Sequence, residues 1–257
     1  MKNKFLLLLF MGLIISSCKQ DYSTTRIVGK RLTISDSLAT NPEIEAYIKP
    51  YREKVNRDLD SILAYAAETY SKSDGKLNTA IGNFMADAVF EMSNPVFQKR
   101  TNKFIDMVLL NHGGIRSIIS KGNITSRTAY KIMPFDNSVY VIPMKGQQIK
   151  DMLSFLAKKK RAHPISKLKL TLSEDYSIKD ALINDEAIDY EKTYHVATND
   201  YLYNGGSNMH FFKSKDTVYD LNYKIRNLLI DYFKKIDTLQ PSIDDRFIQI
   251  KTIKNET

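Results

Sequence analysis

The alternation of apolar and polar positions divides the chain into short strands and a few amphipathic helices. Ile27, Val28, Leu32 and Ile34 predict a short strand within residues 24–35, interrupted at Gly29. Asn41-Pro42-Glu43 is a helix start: asparagine caps, proline takes the first turn, and glutamate faces the positive end of the helix dipole. Apolar residues at Ile44, Ile48, Tyr51, Val55, Leu59, Ile62, Leu63 and Ala66 keep helical spacing. They predict one long arm, bent at Pro50, whose apolar face packs. A loop with Ser71, Asp74 and Gly75 follows, and Ile81, Phe84, Met85, Ala88, Val89 and Met92 mark a second helix.

Beyond it, residues 107–110 are a continuous apolar run that predicts a buried strand. Thr125 is placed to cap a helix that reaches Met133 and is stopped by Pro134. A strand over 139–144 and an amphipathic helix over 147–159 come next. Leu168, Leu170 and Leu172 then alternate as a strand, and residues 178–188 suggest a hairpin. Residues 194–198 predict another strand, 221–236 a closing helix and 247–250 a last strand. Strands and helices mixed without strict alternation imply a mixed α/β (α+β) domain whose sheet is antiparallel in part and flanked by helices.

The N-terminus adds a compartment. Lys2 and Lys4 precede an apolar stretch over 5–15, too short to span a bilayer, and Ile15-Ser16-Ser17-Cys18 resembles a bacterial lipobox. The expected processing removes residues 1–17 and lipidates Cys18, which places the chain outside the cytoplasm on a membrane, in the periplasm or at the cell surface. An ordinary cleaved signal with a chance cysteine is the alternative. Cys18 is the sole cysteine, so disulfides and thiolate metal sites are excluded. Residues 18–25 read as a polar tether, 26–74 as a strand and helical arm, and 75–257 as the main domain. Loss of Lys2 and Lys4 lowers the formal charge from +9 to +7. That balance suits anionic ligands but equally a solvated lysine-rich surface. No nucleic-acid-binding motif is present.

Three predicted strand-to-loop exits carry candidate chemistry. In Asn111-His112-Gly113-Gly114-Ile115-Arg116, two glycines let backbone approach a ligand, and arginine offers a planar fork for phosphate or carboxylate. Pro134-Phe135-Asp136-Asn137 sets an aromatic and an amide at a turn. Asn199-Asp200-Tyr201-Leu202-Tyr203-Asn204-Gly205-Gly206 again joins aromatic and amide residues to a glycine pair. Taken singly each reads as an ordinary turn; together they suit a flat heteroaromatic ring with an attached anion.

At these residues the sequence resembles the C-terminal domain of the 5'-nucleotidases. Asn111 to Arg116 looks like the family's N-x-G-G-I-R, Lys121-Gly122-Asn123-Ile124-Thr125 its G-x-I-T, and Pro134 to Asn137 its P-F-x-N. Val196-Ala197-Thr198-Asn199-Asp200-Tyr201 through Gly205-Gly206 looks like its third loop, and Gly82-Asn83 with Ala86-Asp87-Ala88 its G-N-x-x-x-D-A helix. The order and spacing agree over about residues 75 to 250. The resemblance implies nucleoside binding, with the base between Phe135 and Tyr201, Asn111 bonding to it, Asn137 beside the ring and Arg116 toward ribose or phosphate. Gly113, Gly114, Gly205, Gly206 and Ser207 complete the expected site. Ser207 stands where the family usually has an aspartate for the ribose hydroxyls. The stretch Ser71-Lys72-Ser73-Asp74-Gly75-Lys76 holds lysines where arginines are common.

The family's hydrolysis belongs to a separate metallophosphatase domain with two metals. Of this chain's four histidines, His112, His163, His195 and His210, none lies in an Asp-x-His or Gly-Asn-His setting. No catalytic residue, metal ligand or cofactor is therefore expected here, and divalent metals are expected only in a partner. His195 and His210 read as structural or surface residues, while His112 sits inside the glycine loop. Three readings stay open: the recognition half of a split 5'-nucleotidase served by a metallophosphatase chain, a non-catalytic nucleoside or nucleotide receptor, and a structural lipoprotein.

Overall fold

A computed structural model describes residues 24–214 and 217–251. The leader and Cys18 lie outside the described residues. The chain divides into two units, residues 1–49 and 50–257.

In the first unit, residues 24–35 form no strand, and Ile27 and Ile34 are fully exposed. An extended segment without a partner strand leaves its backbone groups to water, so local alternation alone did not make it a strand. Helix α1 (Pro42–Asp60) starts where Asn41 caps it: the Asn41 Oδ1 accepts the Glu43 and Ile44 N–H groups at 3.0 and 3.3 Å. The helix runs on through Pro50 but buries none of its residues, contrary to the expected packing face. It also stops at Asp60. Residues 62–66, read above as its continuation, are instead strand β1 (Ile62–Ala66), with Ala64 and Ala66 buried and Tyr65 exposed. The run fits both periods, and remote partners decide it: β1 pairs with β3 (Gly122–Thr125) and with β11 (Thr238–Leu239). The compact body therefore starts ahead of residue 75.

The centre of the body is a five-stranded sheet in the order β10 (Tyr219–Lys224), β4 (Ser138–Met144), β9 (Tyr194–Asn199), β2 (Met107–Leu109), β5 (Ile165–Ser166). Its middle strands are apolar on both faces because both are covered. Val108, Val139, Val141 and Ala197 face one core, with Phe84, Met85 and Val89 of α2 (Ala80–Thr101) and Leu228 and Phe233 of α6 (Ile225–Phe233). Met107, Leu109, Ile142, Met144 and Val196 face the other, with Ile149, Met152, Leu153 and Leu156 of α4 (Gly146–Lys159). Each such side chain, when fully buried, contributes about 1.5–3 kcal/mol.

A four-stranded sheet closes the second core: β12 (Phe247–Gln249), β6 (Leu168–Leu172), β7 (Ile178–Ile183) and β8 (Glu186–Ala187). The hairpin expected over 178–188 is β7–β8, turning at Asn184 and Asp185, both at positive φ. The closing helix begins later than residue 221. Residues 219–224 are drawn into β10 by antiparallel pairing with β4, Tyr219 opposite Val141 and Asp220 opposite Tyr140.

Candidate functional site

The topology places the three loops on one edge. Strands β2 and β9 are parallel neighbours, so residues 110–116 and 200–207 leave the sheet on the same side. Strand β4 runs antiparallel to β9 with Val139 opposite Asn199, which brings the 134–137 loop, just before β4, to that edge as well. Crevices at the carboxyl ends of parallel strands are where α/β sheets hold ligands.

Asn111 is buried, and the chain then turns through a short 3₁₀ segment, His112–Gly114. The Gly114 N–H donates to the Asn111 carbonyl at 2.9 Å. A Cβ at Gly114 would stand 3.1 Å from Asn111 Oδ1, so the glycine leaves room for that amide to point into the crevice. The Arg116 N–H donates to the Ile132 carbonyl at 2.9 Å, coupling this loop to α3 (Ser126–Ile132), whose C-terminus leads into the aromatic loop. That loop is fastened from below. The Ile225 N–H donates to the Asn137 carbonyl at 3.0 Å, Lys224 Nζ to the Asp136 carbonyl at 2.9 Å, and the Arg226 guanidinium to the Pro134 carbonyl at 3.3 Å. Sequence reasoning missed Lys224 and Arg226. No local signal marks them, because they come from the far end of the domain.

In the third loop Asn199, 1% exposed, caps α5 (Asp200–Tyr203) by accepting the Leu202 N–H at 2.8 Å. The Tyr201 hydroxyl accepts the Ser207 N–H at 3.2 Å, so it holds the loop closed rather than pointing to water. Gly206 lies flat against the Tyr201 ring, where a Cβ would collide with it.

Asn111, Gly113, Gly114, Arg116, Phe135, Asn137, Tyr201 and Ser207 line one cavity of about 320 Å³, together with Asn199, the first residue of the third loop, and Met133, neither of which belonged to the expected site set. Gly205 and Gly206 do not line it; they shape the loop behind Tyr201. Phe135 is 41% and Tyr201 50% exposed, so neither ring is buried in the core. No ring-to-ring contact joins them among the described residues. The Arg116 guanidinium lies 5.7 Å from the Phe135 ring centroid. Polar atoms, two aromatic faces and one cation therefore converge on a space of ligand size. A larger hollow of about 600 Å³ lies by Asp87, Glu91, Lys169, Asp244 and Arg246. Several of its charges are paired with one another: Arg246 with Asp87 and Asp244, and Lys169 with Asp185.

The other highlighted residues fall elsewhere. Asn83 Nδ2 donates to Asn78 Oδ1 and to the Ser242 carbonyl, both at 3.0 Å, and Asp87 receives Arg246 at 2.9 Å. The G-N-x-x-x-D-A helix is thus a clamp on the C-terminal segment. Lys72 Nζ donates to the Ile115 carbonyl at 2.8 Å, and Lys76 Nζ to Gln249 Oε1 at 2.8 Å, so these lysines serve the scaffold. His195 packs between Phe97 and Tyr219 beside Asp106, as a structural residue does. His112 turns away from the aromatic cleft, its Nδ1 3.1 Å from the Ala162 carbonyl, and burial lowers its pKa. Among the described residues no group of three or more His, Cys, Asp or Glu side chains is placed to hold a metal ion.

A mixed sheet whose edge loops gather two half-exposed rings, amides and an arginine around a ligand-sized cavity defines the chain as an α/β domain of mixed topology. A family model described as the 5'-nucleotidase C-terminal domain matches residues 60–214, and the chain belongs to that family. It is 23% identical over 245 residues to the trifunctional nucleotide phosphoesterase protein YfkN of Bacillus subtilis, covering 85% of this chain and 16% of that protein. It is 24% identical over 217 residues to protein UshA of Escherichia coli, covering 83% and 38%. Among solved structures, the 5'-nucleotidase precursor from Thermus thermophilus shares the fold with a TM-score of 0.66 at 21% identity, over 83% of this chain and 43% of that one. The NAD nucleotidase of Haemophilus influenzae gives 0.62 at 19% identity, over 82% and 42%. The chain spans less than half the length of each of these proteins.

Proposed function

We infer that this chain is the nucleotide-recognition part of a split 5'-nucleotidase, with the metals and the hydrolysis supplied by a separate metallophosphatase chain. The observation that carries the reading is the pair Phe135 and Tyr201, half exposed on either loop of one cavity whose edge holds Asn111, Asn137 and Arg116. A nucleobase offers two π-faces and a polar rim, and this set matches both. Calorimetry with adenosine and adenosine monophosphate tests it. Phe135→Ala and Tyr201→Ala should each cost about 1–3 kcal/mol of nucleoside affinity, roughly 5- to 150-fold. Phe135→Ala should leave the melting temperature close to that of the parent. Unchanged binding with a large loss of stability would assign the rings to the scaffold and remove the reading. A surface nucleotide receptor without a hydrolytic partner shares this site, and only the search for a partner chain separates the two.

An extracytoplasmic location fits the lipobox-like leader, and the relatives include one named as a cell wall protein, from Listeria monocytogenes, 26% identical over 205 residues. In this reading Cys18 carries the lipid anchor. Mass spectrometry of the mature N-terminus should find residues 1–17 absent and Cys18 acylated, and an unmodified Cys18 thiol in membrane-extracted protein would refute the anchor.

A further inference from the structure

Behind the glycine loop lies a second cavity, of about 480 Å³, which the nucleoside reading does not use. Gly113 and Ser207 line both hollows, so the two adjoin along that edge. The second has a different character: no ring but Phe155 and the two imidazoles, and no carboxylate in its wall.

Its charge comes from the end of α4. Lys159 closes that helix and Arg161 follows the left-handed cap at Lys160. Both are exposed at the cavity, and Lys159 Nζ rests 5.5 Å from the Phe155 ring centroid. Among the described residues neither cation is within ion-pair distance of a carboxylate, in contrast to Lys169 and Arg246 of the larger hollow.

The floor is built rather than incidental. His163 is 6% exposed, and its Nδ1 accepts the His112 N–H at 3.3 Å, which places the ring proton on Nε2. His112 Nδ1 lies 3.1 Å from the Ala162 carbonyl, which only accepts, so that nitrogen is the donor. Burial, with the charges of His112 and Arg161 next, holds His163 down at about 4, so its imidazole is neutral at neutral pH and the positive charge rests on Lys159 and Arg161. Ser207 and Asn208 add a hydroxyl and an amide to the rim.

We propose that this cavity is an anion subsite that receives a second phosphate of the ligand whose base lies between Phe135 and Tyr201. The ligand class is a nucleotide with more than one phosphate group, either along a 5' chain or on the ribose. The proposal rests on the nucleotide reading for the base, but its cations are separate residues, and the test separates the two claims.

Calorimetry on the whole chain, with adenosine, adenosine monophosphate, adenosine triphosphate, adenosine 3',5'-bisphosphate and inorganic tripolyphosphate, measures both. The double variant Lys159→Ala/Arg161→Ala should bind tripolyphosphate at least about tenfold more weakly, the scale of one lost charge-assisted contact, and leave adenosine affinity unchanged. Whichever of the triphosphate and the bisphosphate exceeds the monophosphate in affinity should lose that excess, which identifies where the second phosphate sits. Lys158→Ala, one residue away and outside the cavity, should bind all five probes as the parent does. Loss of tripolyphosphate binding in the double variant with no adenosine binding in the parent would sustain the anion site and remove the nucleotide reading. The subsite is overturned if the parent gains nothing from additional phosphates and binds no tripolyphosphate. It is equally overturned if the double variant matches the parent, or if Lys158→Ala costs as much.

Discussion

Tyr201 is fixed at both ends of its side chain. Its hydroxyl accepts the Ser207 N–H, and its ring lies on Gly206 so closely that a methyl group there would collide with it. The hydroxyl therefore does a job that a phenylalanine cannot, and the glycine is required by proximity rather than by its φ angle. Gly205 beside it is the residue that needs the left-handed region, at φ +90°. Gly206→Ala should thus displace the ring and lower nucleoside affinity about as far as Tyr201→Ala, although residue 206 itself does not line the cavity. Binding and melting curves on the two variants check this. Parent-like affinity in Gly206→Ala would show that the ring yields without losing its place.

Among the elements, those with strong local periodicity and a covered apolar face were legible in sequence: β2, β4, β9, α2 and α4 all formed where the pattern put them. The elements that were not legible are those whose state is decided by a distant partner. Residues 62–66 have a pattern compatible with helix and strand, and β11, far along the chain, settles it. Residues 221–224 have a pattern that predicts helix, and the edge of β4 draws them into β10. Glycine pairs and amides at strand ends serve ordinary turns as well, so the three loops stood out only when taken together, while Lys224 and Arg226, which fasten the aromatic loop, left no trace. The same limit hid the role of Asp87. It receives both terminal nitrogens of Arg246 at 2.9 Å, and Arg246 also donates to Asp244 and to the Ile165 carbonyl. With the Arg246 side chain 16% exposed, Arg246→Met should leave two carboxylates and a carbonyl short of a partner. The expected destabilisation is about 2–3 kcal/mol in urea melts, with nucleoside affinity retained in the folded fraction. A variant as stable as the parent would show that the cluster's desolvation cancels its attraction.

The chain belongs to the 5'-nucleotidase C-terminal domain family, and its relatives YfkN and UshA are more than twice as long. Two-metal phosphoester hydrolysis needs a dense ligand set holding ions about 3.5–4 Å apart, and the described residues offer no such cluster. Incubated alone with adenosine monophosphate and manganese or zinc, the chain should release phosphate no faster than background. Turnover that persists through rigorous purification would reverse the division of labour proposed above. The pairing of β1 with β11 has a consequence for the order in which the protein is made. The body's first strand finds its parallel neighbour only at Thr238 and Leu239, and Asn78, just ahead of α2, and Asn83 within it donate to backbone carbonyls of residues 242–247. A chain emerging from the ribosome can pair β1 with β3 early, but it completes this three-stranded sheet only once residues 238–239 have been made. Such long-range pairing must wait for loop closure across most of the body, so this edge of the fold forms more slowly than the locally paired hairpin β7–β8.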